Sequence, residues 1–513
     1  MCRRVSRPVL NSRGREVNRK HNGSLAPSRL WGKCVKPWTP TVRRYPHFDP
    51  VISVDEATAI ATNPTRVAKH TFYPFLKYNE GWTAFAKKGT FGRRKDRPIR
   101  YAARLDSCIF SYYRYLLSEP YEQKLLAEGL TNSVIAYRRI LKSNGRGGQS
   151  NVEFALSAVD AIRSLGNCCT LALDISSFFE SLDHVRLREV WGDLLGVSRL
   201  PEDHFRVYQA VTKYAYVELE EAYERLGFYG EKKDRHGKTR PGFLRSLKEM
   251  PVQLCDGRSF RAKIASDGGL PSIIKTNKEG MGVPQGAPLS DLLANAYLLE
   301  FDKFVRDLCA KVGGTYFRYS DDILIVAPIS LEKALEMEQD VRAAISALGK
   351  GLVIKEAKSA IHRFEDGNGR QNISVIKAFD KDDKPMPGKP FEYLGFRYDG
   401  CSVFIRDKTM SNLHRKIASV CRASAIKMVK RYQGKGADEI LEMADLERLI
   451  QAFGTVEDFR SKASDYRAWT FTTYAKRASR AMGTLGKPIA RQLGGLRRSI
   501  KTRLAAELKR ALS

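Results

Sequence analysis

Two apolar runs in this chain end on acids, and that pattern restricts its possible folds more than any other feature. "CTLALDI" (169–175) reads as a buried strand with Asp174 near its end. Farther along, "TYFRYS" and "ILIVAP" flank Asp321 and Asp322, which reads as a tight β-hairpin with two acids at its turn. An Asp-Asp pair alone is most often a solvated turn. Between two apolar strands it is a different object, because a carboxylate at a buried strand end is costly unless it is paired or bound to a cation. Three such groups meeting at one sheet edge repel one another, and divalent cations relieve that. An acidic site without Cys or His suits hard cations that take oxygen ligands.

The surrounding pattern supplies the rest of a layer. "LDSCIFSYYRYLLSEPYEQKLLAEG" (105–129), "NVEFALSAVDAIRSLG" (151–166) and "HVRLREVWGDLLG" (184–196) have helical spacing, and 288–310 reads as one long helix. A helix over 331–349, a strand pair over 351–364 and a hairpin around "FEYLGFRYDGCSVFIRD" (391–407) follow. From 169 to 364 this order predicts an α+β layer, with helices on one face of a small antiparallel sheet. Residues 197–280 show few clear periods, and the last hundred or so residues read as helices rich in Lys and Arg.

Charge narrows the partners. There are 88 Lys and Arg against 57 Asp and Glu, a net charge of +31, and such a field attracts nucleic acid or an anionic membrane surface. No apolar run approaches the ~18 residues that would cross a bilayer, so the expectation is no membrane partner. Both ends are basic: twelve Lys or Arg precede Tyr45 with Glu16 as the only acid, and eleven lie between Lys476 and Ser513 against Glu507 alone. Pro8, Gly14, Gly23 and Pro27 interrupt any long amphipathic helix at the start, which favours a basic arm over an organelle transit peptide. The nine cysteines form no CxxC pair and the eight histidines no HxxxH spacing, so no zinc site is expected. Free thiols fit a reducing cytoplasm.

Five motifs in order resemble the reverse-transcriptase family: "LALDISSFFESLDH" (171–184), "MGVPQGAPLSDLLANAYL" (281–298), "FRYSDDILIV" (317–326), "GLVIKEAKS" (351–359) and "EYLGF" (392–396). The resemblance implies a right-hand polymerase fold. In it a basic arm (1–50) precedes fingers and an N-terminal helical region (51–168). A palm (169–400, with a fingers insertion at about 197–280) and a basic helical thumb (401–513) follow. It implies an RNA-directed DNA polymerase using dNTPs and two Mg²⁺ ions, with Mn²⁺ as an in vitro substitute. Asp174, Asp321 and Asp322 take the catalytic and metal-binding positions. Phe179 falls at the steric-gate position that rejects a ribose 2′-hydroxyl, with Phe178 as the alternative if Phe179 is core. Gln285 matches the residue packing on the incoming nucleotide. Lys95 and Arg97 are candidates for gripping its triphosphate, and Lys358 for giving a proton to pyrophosphate. Tyr393, Leu394 and Gly395 match the primer grip.

Upstream, "RPIRYAARLDSCIFSYYRYLLSEPYE" (97–122), "VIAYRR" (134–139) and "NVEFALSAVDAI" (151–162) look like bacterial defence-associated and abortive-infection enzymes, relatives of the retron type. That likeness implies a structured noncoding RNA as template or scaffold, a DNA product and a role in antiviral defence. Retron-type or intron-type synthesis, untemplated synthesis and priming from a protein hydroxyl stay open, with Tyr432, Tyr466 and Tyr474 as candidate hydroxyls. An RNA-binding maturase is the non-enzymatic alternative, and homo-oligomerisation is also open. No Cys/His endonuclease cluster or RNase H-like acidic set follows the thumb.

Overall fold

A computed structural model describes residues 37–83, 94–142, 145, 147–233, 237–246, 249–266, 270–380, 382–453 and 470–513. Residues 39–513 form one compact unit, distinct from Met1–Trp38.

The element that organises this unit is the apolar strand around Asp174. Strand β3 (Cys168–Ser176) lies inside a six-stranded sheet, because it is apolar on both faces and can be covered on both. On one side it pairs antiparallel with β9 (Asp322–Ala327), which turns back onto β8 (Thr315–Tyr319). On its other side β3 meets two strands in succession: β10 (Val353–Ile354) at its C-terminal end and β11 (Ala360–Glu365) along its body. Strand β12 (Asn372–Ala378) closes that edge against β11. The strand pair expected within 351–364 is therefore corrected: β10 and β11 both pair with β3, not with each other. A short helical turn, Glu356–Lys358, separates them. It interrupts the strand beside Asp174.

Helix Asn151–Leu165 packs its apolar stripe (Val152, Ala155, Val159, Ile162) against Phe317, Leu324 and Val326 of the sheet. Its start is fixed by a capping box between Ser150 and Glu153, and Arg477 of helix Phe471–Ala481 reaches Glu153 at 3.3 Å. The same core includes a three-stranded sheet of β13 (Phe391–Tyr393), β14 (Phe396–Tyr398) and β15 (Val403–Ile405). The region expected as one hairpin thus carries a third strand.

The helix expected over 288–310 is two helices, Ser290–Tyr297 and Leu299–Lys311, broken at Leu298. The break has a use. Asn295 from the first helix and Asp302 from the second both reach the buried Arg318 on β8.

Strands β1 (Phe75–Thr83) and β2 (Arg94–Tyr101) form a second sheet with β4 (Ala215–Glu218) and β7 (Lys275–Thr276), in the order β2-β1-β4-β7. Parts of 197–280 therefore fold onto the residues that precede β3, through a core of Phe48, Leu76, Val217, Tyr223 and Phe228. Phe48 and Asp49, at the end of the segment read as an arm, are buried there, and Asp49 accepts from Arg104 Nη1 at 2.7 Å. Strands β5 (Tyr229–Lys233) and β6 (Thr239–Phe243) make a separate two-stranded ribbon.

After β15, helix Asp407–Arg431 buries Leu413, Ile417, Cys421 and Ala425 against Ile500, Leu504 and Leu508 of helix Leu496–Leu512. The outer faces carry Arg415, Lys416, Lys427, Arg497, Lys501 and Lys509, all exposed. The architecture is α+β, with a helical C-terminal region. Among the described residues no helix is long and apolar enough to cross a membrane.

Candidate active site

The register of β3 on β9 places Asp174 directly opposite Asp322. One bond further, Ile175 donates its backbone N–H to the Asp321 carbonyl at 3.0 Å, which fixes the hairpin turn against the end of β3. Tyr319 and Asp322 are the last paired residues of β8 and β9, so Ser320 and Asp321 form a two-residue turn. Ser320 has φ of 62°, a left-handed conformation that glycine usually takes at the start of such a turn.

The buried arginine on β8 holds that turn from below. Arg318 donates to the Ser320 carbonyl and the Asn295 side-chain oxygen, both at 3.0 Å, and grips both oxygens of Asp302 at 2.7 Å. Tyr316 adds a third donor to Asp302 at 2.7 Å. Burial pushes the Asp302 carboxyl above the ordinary range while Arg318 pulls against it. A bidentate guanidinium is the partner a fully buried carboxylate needs.

Asp322 is pushed up to about 7 by the protein mass around it and then by the carboxylates of Asp321 and Asp174, although water still reaches it. Arg406, just after β15, and Lys358 act in the opposite direction. Lys358, on the turn between β10 and β11, has its ammonium group in contact with Asp174. Among the described residues no three acids, histidines or cysteines already converge as a metal cage. The donor chemistry nevertheless suits a hard cation. The site offers carboxylate oxygens that repel one another, and Asp174 has already drawn in a cationic group.

Phe178 is buried at 3% exposure, whereas its neighbour Phe179 is half-buried, so of the two only Phe179 has much surface to offer. The Phe179 carbonyl accepts from Val283 at 2.8 Å, which ties the turn after β3 to the Pro-Gln-Gly segment. Gln285 is half-buried, and its carbonyl accepts from the Arg100 backbone at 2.9 Å. Gly286 next to it has φ of 119°, and a Cβ there would lie 2.6 Å from the Arg100 carbonyl oxygen. Only glycine allows that approach.

Arg97 is exposed on β2, opposite Glu80 in register, while the side chain of Lys95 lies outside the described residues. The sequence reading missed Arg100. It is buried, donates to Glu180 at 2.6 Å and lies over the rings of Tyr214 and Tyr216 at 5.1 and 5.5 Å. It joins the second sheet to the turn after Asp174. A signal was present in "RPIR", where Pro98 and Ile99 are flanked by arginines on opposite strand faces. Arg97 and Arg100 differ in phase, so only one of them can face inward.

Leu394 and Gly395 have φ of 46° and 92° and connect β13 to β14 as a two-residue turn. The Gly395 carbonyl accepts from the Arg406 backbone at 3.1 Å. Tyr393 is buried, its hydroxyl has no partner among the described protein atoms, and Asp322 contributes to raising its pKa after burial. Tyr432 and Tyr474 are half-buried in the C-terminal region, and Tyr466 lies outside the described residues.

Residues 271–398 match the profile of the reverse transcriptase (RNA-dependent DNA polymerase) family. This matched segment covers about a quarter of the chain. It contains the Pro-Gln-Gly segment, the Asp321-Asp322 hairpin, Lys358 and the β13–β14 turn. Asp174 lies upstream of the matched residues and reaches the domain through its pairing with β9. A domain of this family is that of an RNA-directed DNA polymerase, a nucleotidyltransferase.

Solved structures similar to the chain include apo telomerase from Candida tropicalis (11% identity, 87% of this chain and 65% of that one, TM-score 0.35). A form truncated from its C-terminal domain gives 10% identity, 63% and 58% coverage and a TM-score of 0.34. Telomerase from Candida albicans in complex with a TWJ fragment of telomeric RNA gives 14% identity, 88% and 66% coverage and a TM-score of 0.32. The chain spans between 58% and 66% of the length of these telomerase chains.

Proposed function

We propose that this chain is an RNA-directed DNA polymerase that works with a structured RNA in bacterial antiviral defence, in the cytoplasm. The observation that carries the polymerase reading is the cross-strand pairing of Asp174 with Asp322 beside the Asp321 turn. Asp174, Asp321 and Asp322 would hold magnesium, whose positive charge would favour ionisation of the attacking hydroxyl and stabilise the leaving pyrophosphate. In this reading Lys358 gives the pyrophosphate its proton, Phe179 screens the sugar, and Gln285 packs on the incoming nucleotide. The hairpin residues Tyr393, Leu394 and Gly395 support the primer. The defence reading is supported by the likeness of residues 97–162 to abortive-infection enzymes, and the cytoplasm by the unpaired state of the cysteines among the described residues.

The direct test is extension of a primed RNA template by the purified chain with dNTPs and magnesium. Absence of synthesis on RNA, with synthesis on a DNA template, would replace the reverse-transcriptase reading with that of a DNA-templated polymerase. Phe179→Ala is expected to let ribonucleotides into the product while deoxynucleotide incorporation continues. Unchanged sugar discrimination would remove Phe179 from the gate.

The RNA partner is supported by the charge of the chain and by the exposed basic faces of its C-terminal helices. If six to ten phosphates are contacted, affinity for the copurifying RNA should fall by roughly 10³–10⁵ between 50 and 200 mM salt. Removing residues 1–44 should flatten the slope of log affinity against log salt by about one unit per lost contact. Filter binding of both proteins across a salt series measures this. Identical slopes would assign the N-terminal charge to something other than RNA.

A further inference from the structure

Among the described residues, Tyr137 is a bulky side chain held in the left-handed region, with φ of 60°. Such a conformation is strained for an L-residue and persists only where surrounding contacts dictate it. The contacts are explicit. Residues 133–137 run beside β8, where Ile135 donates to the Arg318 carbonyl at 3.0 Å and Arg318 donates to the Ser133 carbonyl at 2.7 Å. The Ala136 carbonyl accepts from Asn295 Nδ2 at 2.8 Å, and the Tyr137 carbonyl accepts from Arg114 Nη2 at 2.9 Å. Arg114 is itself fixed by two bonds to Asp291, at 2.9 and 3.0 Å. Both carbonyls around the strained position are therefore held.

What this arrangement delivers is a phenol at the catalytic turn. The Tyr137 hydroxyl lies 3.2 Å from Ser320 Oγ, and its ring is 6.5 Å from that of Tyr319. Ser320 is buried and also left-handed, so two strained residues from distant parts of the chain meet across one hydrogen bond. Yet Tyr137 keeps 42% of its surface exposed. A core tyrosine tethered only for packing has no reason to leave that much of its surface in solvent, close to the two acids that follow Ser320.

We infer that Tyr137 is a positioning residue for the Ser320–Asp322 turn, and that the open face of its ring takes the terminal nucleotide of the strand being extended. The inference rests on the polymerase reading of this site and deepens it. Aromatic faces bind nucleotides with little regard to sequence, which suits a contact that must accept each new end in turn.

The two parts separate by substitution. Tyr137→Phe keeps the ring and removes the hydrogen bond, so kcat should fall several-fold with the KM for primer-template unchanged. In a Ser320→Ala background the same change should have no further effect, because the partner oxygen is already gone. Tyr137→Leu removes the aromatic face and keeps bulk, and should weaken primer-template binding by roughly tenfold or more. Binding is measured by fluorescence anisotropy without nucleotide, so it reports on the contact even if the chain proves to use another template or chemistry. Additive effects of Tyr137→Phe and Ser320→Ala would overturn the positioning role. Equal primer-template affinity for wild type, Tyr137→Phe and Tyr137→Leu, with unchanged thermal unfolding, would overturn the contact.

Discussion

Replacing Asp174 or Asp321 with Asn should abolish DNA synthesis while leaving the folded chain as stable as before, or more so. Asp174 and Asp322 face each other at one end of the β3–β9 pair with Asp321 at the adjoining turn, and Asp322 is displaced toward neutrality first by burial and then by the carboxylates of Asp321 and Asp174. Removing one charge relieves that repulsion and changes almost no volume. The contact of Lys358 with Asp174 is lost in one variant, but it is substantially exposed and adds little to stability. For catalysis the balance is opposite. An amide is a weak, neutral ligand for a hard cation, and losing several kcal/mol of transition-state stabilisation slows the reaction by roughly a thousandfold or more. Primer extension and thermal unfolding on the same preparations check both halves. Near wild-type extension in either variant would remove these residues from the reaction. Inactivity accompanied by a collapsed unfolding midpoint would mean that the carboxylates hold the fold instead.

The second large effect concerns stability. Arg318→Met should destabilise the chain by about 3–5 kcal/mol, because it leaves the Asp302 carboxylate buried with Tyr316 as its remaining donor. The Ser320 carbonyl and the Asn295 oxygen lose a donor as well. The remedy is to remove the second charge rather than restore the first. Arg318→Met combined with Asp302→Leu should recover most of the loss, since a buried pair is often worth little more than apolar residues of similar volume. Denaturant unfolding of the two single variants and the double variant supplies the comparison. A loss under about 1 kcal/mol for Arg318→Met would show that the site tolerates an unpaired carboxylate, through water or local opening. Because Arg318 also holds the Ser320 carbonyl, the double variant should regain stability without regaining full activity.

Much of this layer is visible in the sequence, and for identifiable reasons. The acids of 174, 321 and 322 stand out because each interrupts or borders an apolar run, and the strands around them have the continuous apolar character and length of buried sheet elements. Helix Asn151–Leu165 shows its capping box and its apolar stripe directly. What the sequence hides is whatever depends on non-local pairing. Val353 and Ile354 look like a partner for the strand that follows, and only the topology gives them to β3. Arg318 looks like one more surface charge in a basic chain. Its burial becomes legible only with Asn295 and Asp302, seven residues apart and therefore two helical turns along one side, where a break at Leu298 intervenes. Tyr137 gives no periodic signal at all, since its significance lies in a backbone conformation that a tyrosine rarely adopts.

The position of β3 has a bearing on how the chain is made. Its flanking strands all lie later in the sequence, with β9, β10 and β11 beginning at Asp322, Val353 and Ala360. At about 5–20 residues per second, a ribosome that has finished β3 needs roughly 7–30 seconds to supply β9. During that time an apolar, β-prone segment has no native edge to join, although helix Asn151–Leu165 is already available to shield one of its faces. Truncated chains ending between β3 and β9 are therefore poor candidates for soluble fragments. The acid near the end of β3 acquires a second role in this light. Before any cation or partner strand arrives, the charge of Asp174 makes that segment less prone to pair with copies of itself on neighbouring nascent chains.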